Sequence, residues 1–187
     1  MDLGLRDRVY LVTGGSRGLG FAAAEALLAE GARVVVSSPR EATASAAATS
    51  LGGGGTRNAD VTWVAADNGD PDTPERLIAA ARGRFSRLDG ALISVGGTPP
   101  GTVLGTSDEA WRSAFESVFL GAVRLARIVA EDLAGHSEDG AARGVPTGAS
   151  GSIVLVLAAS VRVPLPHLPV SNGLFPGLAG VVKTLAD

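Results

Sequence analysis

The sequence contains no cysteine, two histidines, one tyrosine and one lysine among 187 residues. The absence of cysteine excludes disulfide bonds, thiolate catalysis and cysteine-based metal sites, and two histidines leave little for a histidine-rich metal site. We therefore expect no bound metal. The tyrosine is Tyr10 and the lysine is Lys183, at opposite ends of the sequence. Any chemistry that needs these two residue types a few positions apart is excluded.

Strong charge of either sign is also absent, because the formal net charge is -3 and charged residues make up 19% of the chain. The basic residues are scattered, so no basic face for nucleic acid or anionic lipid is predicted. The amino terminus mixes acidic and basic residues and lacks the apolar region of a signal peptide. The long uncharged run from Val163 to Val182 contains four prolines, too many for a membrane-spanning helix. We expect a cytoplasmic protein without a membrane segment.

What the sequence has is an alternation of short apolar runs and helical patterns. With 45% hydrophobic residues, residues 1–187 are long enough for a single domain with a substantial core. The predicted strands are Val9 to Val12, Arg33 to Ser37, Val61 to Ala65, Ala91 to Val95 and Ser152 to Leu157. The predicted helices are Gly18 to Ala29, Glu41 to Ser50, Asp72 to Phe85, Ser107 to Leu133 and Ser171 to Asp187. This spacing predicts an α/β fold, a doubly wound parallel sheet flanked by helices.

Two segments depart from this regular plan. Gly135 to Gly151 is rich in small residues, carries both signs of charge and lacks periodicity, so it is predicted to be a mobile surface insertion. The last helix contains three glycines and Pro176, which disfavour a helix interior. Because proline is tolerated in a first helical turn, the regular part of this helix is predicted to begin only at Pro176.

A glycine-rich run lies between the first strand and the first helix and is the strongest motif in the sequence. It reads Thr13-Gly14-Gly15-Ser16-Arg17-Gly18-Leu19-Gly20. Glycines at such a turn allow the backbone to approach a pyrophosphate, whose negative charge the helix amino terminus favours. The other interpretation is a plain glycine-rich turn. The strand before and the helix after favour a dinucleotide cradle.

The end of the second strand bears on the choice of cofactor. An NAD site usually places an acidic residue there to bind the ribose 2'-hydroxyl, whereas this sequence reads Ser37-Ser38-Pro39-Arg40. Arg17 and Arg40 could instead form charged hydrogen bonds to a 2'-phosphate. NADP(H) is therefore favoured over NAD(H), although both arginines could also be merely solvated.

The sequence resembles the short-chain dehydrogenase/reductase family over nearly its whole length. Its glycine fingerprint is met by Thr13, Gly14, Gly18 and Gly20. Asp67-Asn68 falls where family members contact adenine, and Ser94-Val95-Gly96-Gly97 stands where they carry Asn-Asn-Ala-Gly, so Gly96 is added to the predicted cofactor contacts. The resemblance implies a Rossmann-type fold that binds a nicotinamide dinucleotide and oxidises or reduces a small alcohol or carbonyl substrate.

The resemblance also implies four catalytic residues, namely Asn, Ser, Tyr and Lys. The serine is matched by Ser160. Alignment on Gly180 and Lys183 places Ser171 at the tyrosine position and Phe175 at the lysine position, and the asparagine position falls on Val118. A serine hydroxyl has a far higher pKa than a phenol, and phenylalanine supplies no charge.

Ser160, Ser171 and His167 are the remaining catalytic candidates. A histidine can act as a general acid near neutral pH, so His167 could replace the tyrosine, or it could be an ordinary loop residue. Ser160 could orient a carbonyl group or simply end a strand.

Family members usually continue beyond the helix at Lys183 with two more strands and a helical cover over the substrate, whereas this sequence ends at Asp187. The fifth strand is therefore expected at an edge of the sheet, covered by a partner chain or exposed in a shortened product.

Three functions stay open at this point. The first is an NADP(H)-dependent oxidoreductase with an unusual acid, and the second is a non-catalytic structural or regulatory subunit that pairs with an active homologue. The third is a non-redox reaction on the same scaffold. The resemblance implies a homo- or hetero-oligomer with a chain of this type. The missing residues predict little or no turnover of carbonyl substrates by the isolated chain.

Overall fold

A computed structural model describes residues 3–52, 59–142 and 151–186 of the chain. Its centre is a parallel sheet of five strands, in the order β3-β2-β1-β4-β5. The strands are β1 (Val9–Val12), β2 (Arg33–Ser38), β3 (Val61–Ala65), β4 (Gly90–Ser94) and β5 (Ser152–Val156). The order reverses between β1 and β4, which is the position where such sheets bind their ligands. The predicted α/β fold class is confirmed, and β5 lies at one edge of the sheet.

Helices cover both faces of this sheet because the strand side chains are apolar on both sides. The helices are α1 (Gly18–Ala29), α2 (Glu41–Leu51), α3 (Thr73–Phe85), α4 (Asp108–Ala114), α5 (Gly121–Ala142) and α6 (Pro169–Ala186). On one face, α3, α5 and α6 bury Leu77, Leu125 and Leu178 against Leu11 of β1. On the other face, α1 and α2 pack small alanines against the valines of β1, β2 and β3. Burial of these apolar surfaces is the main stabilising contribution to the fold.

One buried carboxylate ties β1 to β4 at the amino ends of the strands. Asp89 is 9% exposed and accepts a hydrogen bond of 2.8 Å from the backbone N–H of Val9. The guanidinium of Arg87 donates to both of its carboxylate oxygens, at 2.8 and 2.6 Å. Because a buried carboxylate is stable only when it is paired and hydrogen-bonded, this cluster fixes the central strand pair.

The long helix predicted from Ser107 to Leu133 is interrupted and longer than predicted. It consists of α4, a π-helical segment from Phe115 to Leu120, and α5. A π-helix inserts an extra residue into the turn, which a hydrophobic pattern does not reveal. Helix α5 continues to Ala142, so the part of the predicted mobile insertion from Gly135 to Ala142 is helical. The predicted insertion from residue 143 to residue 150 lies outside the described residues.

The prediction that the last helix becomes regular only at Pro176 is wrong. Helix α6 begins at Pro169 and contains Pro176 in its interior. Six of its first ten residues are buried, namely Pro169, Val170, Ser171, Leu174, Phe175 and Leu178. This tertiary burial outweighs the unfavourable helix propensity of proline and glycine. Among the described residues, no helix combines the length and apolar character that a membrane span requires.

We predict that Asp89→Ala lowers the free energy of unfolding by about 2–3 kcal/mol, because it leaves the buried N–H of Val9 and the Arg87 guanidinium without their acceptor. Urea denaturation measures the loss. The matched control is Asp108→Ala, since the side chain of Asp108 is 87% exposed and should matter little. Equal effects of the two substitutions would contradict the structural role of Asp89.

Candidate functional site

The glycine-rich turn after β1 forms a cradle at the carboxyl edge of the sheet. Gly14 adopts a left-handed backbone with φ of 61°, which a residue with a side chain rarely adopts. Gly20, in the first turn of α1, packs so tightly that a Cβ built there would lie 2.6 Å from the carbonyl oxygen of Gly14. The turn is therefore held against the amino terminus of α1, whose free N–H groups and positive dipole end favour an anion.

Side chains lock this cradle to the neighbouring strand. The buried hydroxyl of Thr13 donates to the carbonyl oxygen of Ser94 and accepts from the backbone N–H of Ser94, both at 3.0 Å. The amide of Asn68 donates to the same carbonyl oxygen at 3.3 Å. These hydrogen bonds connect the carboxyl ends of β1, β3 and β4. Thr13 is thus a residue that positions the cradle.

A cleft of about 1010 Å³ runs along this carboxyl edge. Nine of the predicted cofactor residues line it, namely Gly14, Ser16, Arg17, Gly18, Ser38, Arg40, Asp67, Asn68 and Gly96. Four predicted residues are not among its lining, namely Thr13, Leu19, Gly20 and Ser37. Thr13 and Gly20 act through packing and hydrogen bonding, as described above. Leu19 is 71% exposed, and Ser37 is buried in β2.

The hydroxyl of Ser37 is buried without a hydrogen-bond partner among the described residues. Its backbone carbonyl accepts from the N–H of Gly15 at 3.0 Å. Ser37 therefore supports the cradle through its backbone.

The end of the cleft beyond β2 is polar and carries positive charge. The hydroxyls of Ser38 and Thr43 are 2.6 Å apart, and Arg17 and Arg40 are both exposed along the rim. Within the described residues, no ion pair engages either guanidinium. Exposed guanidiniums of this kind suit a phosphate.

Thr43 is a cleft residue that the sequence analysis did not single out. The signal that could have found it is a helical spacing, because Thr43, Ala47 and Ser50 recur on one face of α2 and all line the cleft.

Two of the three catalytic candidates come together, but they are buried. Ser160 follows β5 and Ser171 lies in the first turns of α6, and their hydroxyl oxygens are 2.9 Å apart. The Ser160 hydroxyl also lies 3.3 Å from the carbonyl oxygen of Ser171, to which it can donate. Each residue is 3% exposed. The two hydroxyls satisfy each other, and neither lines the cleft.

An apolar cluster occupies the positions that the resemblance assigns to asparagine and lysine. Val118 and Phe175 are both buried and belong to one cluster with Ala114, Val170 and Leu174. Partly buried hydrophobic residues pack against it, namely Val95, Trp111, Phe119, Leu157, Ala158 and Val161. Val118 and Val95 also form part of the cleft wall. The wall at this end of the cleft is therefore apolar at Val95 and Val118.

His167, the third catalytic candidate, lies on an exposed loop between β5 and α6. Its backbone has φ of 58°, and its carbonyl oxygen accepts from the N–H of Gly101 at 2.8 Å. The side chain of Asn172 holds the same loop through both backbone groups of Leu165, at 2.8 and 2.9 Å. The structure thus gives His167 a role in joining two loops through its backbone, and its side chain is not part of the cleft wall.

The single tyrosine and the single lysine lie away from the cleft. Tyr10 is in β1, where it pairs with Gly90 at the first residue of β4. Burial raises the pKa of its hydroxyl, so it stays protonated at neutral pH. Lys183 is exposed near the end of α6. In the described part of the chain, no three His, Asp or Glu side chains come together to hold a metal ion.

Comparison with known proteins places this geometry in context. A family model described as short chain dehydrogenase matches residues 8–172. An uncharacterized oxidoreductase of Mycobacterium tuberculosis is 39% identical over 111 residues, which are 59% of this chain and 41% of that protein. The dehydrogenase/reductase SDR family member 4 of Bos taurus is 31% identical over 184 residues, which are 97% of this chain and 60% of that protein.

A solved structure with a similar fold is also a reductase. L-sorbose reductase from Gluconobacter frateurii, complexed with NADPH and L-sorbose, matches with a TM-score of 0.84 and 29% identity, over 100% of this chain and 65% of that chain. This chain thus spans less than two thirds of the length of these matched proteins.

We predict that the Ser160 and Ser171 hydroxyls stabilise the fold as a pair. Ser160→Ala and Ser171→Ala should each lower the free energy of unfolding by about 1–2 kcal/mol, because each leaves the other hydroxyl buried without its partner. The double substitution should cost less than the two single losses added together. Urea denaturation of the four proteins tests this, with the exposed Ser113→Ala as a control that should change little. Strictly additive losses would contradict the pairing.

Proposed function

Because the chain belongs to the short-chain dehydrogenase family, we propose that it binds NADP(H) in the cleft and has little or no hydride-transfer activity of its own. The observation that carries this proposal is the buried apolar cluster around Val118 and Phe175. Polar catalytic groups at these positions would need water or a partner, whereas these two residues are enclosed by other apolar side chains. The valine and the phenylalanine at these two positions are thus part of the packing of the fold.

The cleft supports the binding of a nicotinamide dinucleotide. The close approach of Gly20 to Gly14 leaves backbone N–H groups at the amino terminus of α1 for a pyrophosphate. The exposed guanidiniums of Arg17 and Arg40 offer charged donors to a 2'-phosphate. The similar L-sorbose reductase was solved with NADPH and a reductase of the same fold from Brucella melitensis with NADH, so the proposed preference rests on the residues of this cleft.

Hydride transfer also needs a proton at the substrate oxygen, and the described residues of the cleft and its surroundings offer no good source for it. A bound NADPH supplies the hydride, but the protein must supply the acid. Ser160 and Ser171 are buried and bonded to each other, and a serine hydroxyl is a poor acid. His167 lies outside the cleft wall, so it would have to move to reach a bound carbonyl.

The alternative function is a structural or regulatory subunit that pairs with an active homologue of the same family. The apolar groove between α5 and α6 favours pairing, because Val123, Leu155, Val181 and Leu185 leave apolar surface open there. A partner chain in such a pair would supply the catalytic residues that this chain lacks. Cofactor binding would then stabilise the fold or report the supply of cofactor.

A reductase assay tests the catalytic part of the proposal. The isolated chain is mixed with NADPH and a panel of small aldehydes and ketones, and the loss of reduced nicotinamide absorbance is followed. We expect no oxidation above the rate without protein. Turnover that disappears in the His167→Ala or Ser160→Ala variant would overturn the proposal and identify that residue as the catalytic group.

We predict that Arg40 selects the phosphorylated cofactor. Arg40→Ala should weaken NADPH binding roughly tenfold through loss of a charged hydrogen bond and leave NADH binding unchanged. Its side chain makes no capping bond to α2, so the substitution should not disturb the helix. Fluorescence titration measures both affinities, and the exposed Arg112→Ala serves as the charge-matched control. An equal loss for NADPH and NADH would contradict a 2'-phosphate contact, and no NADPH binding by the unmodified chain would remove the cofactor proposal.

A further inference from the structure

The two halves of the cleft differ in charge. The lining residues that carry charge are Arg17, Arg40 and Asp67, which lie at the glycine turn, after β2 and after β3. The half beyond β4 is lined by Ser94, Val95, Gly96, Gly97, Ser117 and Val118. Among the described lining residues, none in this second half is charged.

The orientation of a dinucleotide follows from this asymmetry, and the inference therefore rests on the proposed function. With the 2'-phosphate at Arg40 and the pyrophosphate at the glycine turn, the adenosine lies over β2 and β3. The nicotinamide then extends to the other side of the turn, over β4. It faces the half without charged residues, next to Val95 and Val118.

The surroundings of this half disfavour a positive charge. Val95 and Val118 rest on the buried cluster that includes Val170 and Phe175, so the wall behind them is apolar for several side chains in depth. Val170 lies in the first turn of α6, and the amino end of an 18-residue helix carries partial positive charge. The hydroxyl of Ser117 donates to the carbonyl oxygen of Ser113 at 2.9 Å and is thereby engaged. No carboxylate lining this half offsets the helix end.

The oxidation state of nicotinamide changes its charge. The ring of NADP⁺ carries a positive charge, whereas the dihydronicotinamide of NADPH is neutral. Placing a cation against apolar surface and near a helix amino terminus costs free energy that a neutral ring does not incur. We propose that the cleft discriminates between the two oxidation states and binds NADPH more tightly than NADP⁺. A chain with little turnover would then report the NADPH to NADP⁺ ratio by its occupancy and, if it pairs with an active homologue, transmit that ratio to its partner.

Gly96 offers a direct test because it lines the uncharged half and is exposed. A Cβ built at Gly96 would have no atom within 4 Å, so a side chain fits there without a clash. Gly96→Asp adds a carboxylate near the nicotinamide, and Gly96→Asn adds a group of the same shape without charge. The pair therefore isolates the effect of charge.

The experiment is isothermal titration of the unmodified chain and both variants with NADPH and with NADP⁺, at one fixed ionic strength. We expect the unmodified chain and Gly96→Asn to bind NADPH about tenfold more tightly than NADP⁺. Gly96→Asp should reduce this ratio several-fold by strengthening NADP⁺ binding. Leu3→Asp, which adds the same charge at an exposed position before β1, should leave the ratio of the unmodified chain unchanged.

The outcomes separate this inference from the proposed function. Equal affinities for NADPH and NADP⁺ in the unmodified chain would overturn the discrimination while leaving cofactor binding intact. If Gly96→Asp and Gly96→Asn had the same ratio of NADPH affinity to NADP⁺ affinity, charge in this half of the cleft would not control that ratio. If neither cofactor bound, both the proposed function and this inference would fall.

Discussion

The attachment of β1 to β4 is the constraint on which the rest of the structure depends. Side chains secure it at both ends, since Asp89 accepts from the backbone of Val9 at the amino ends and Thr13 exchanges two hydrogen bonds with Ser94 at the carboxyl ends. Between these points the strands pair in parallel. Because the order of the sheet reverses here, the cleft opens where these two strands end. The cradle is therefore attached directly to the central pair of strands.

The two ends of the cleft differ in charge and polarity. Beyond β2, the guanidiniums of Arg17 and Arg40 stand exposed and suit a phosphate. Beyond β4, valines continue into a buried apolar cluster that extends into α6. Such a cluster is stabilised by mutual burial, so its members depend on one another. The proposed lack of activity therefore involves several elements of the fold at once.

The hydroxyls of Ser160 and Ser171 also contribute to packing, because they are buried and bonded to each other. Two hydroxyls that could act on a substrate are instead closed against each other at 2.9 Å and shielded from solvent. A buried hydroxyl with a partner stabilises the fold, but it is not available for proton transfer to a ligand. The proposed cofactor binding rests on the cradle and on Arg17 and Arg40, and the proposed roles of pairing and of reporting cofactor supply need no catalytic group.

The sequence by itself determined the order of strands and helices, because the apolar runs and the glycine turn are local signals that act over a few residues. It also determined that no tyrosine and lysine could act together, because there is one of each and they are far apart. Only the tertiary structure decided that α6 begins at Pro169, that a π-helical segment joins α4 to α5, and that Thr43 faces the cleft. It likewise brought Val118 and Phe175 into one cluster and closed the two serines on each other. These features depend on contacts between segments distant in sequence, where burial outweighs the local preferences that a sequence pattern can report.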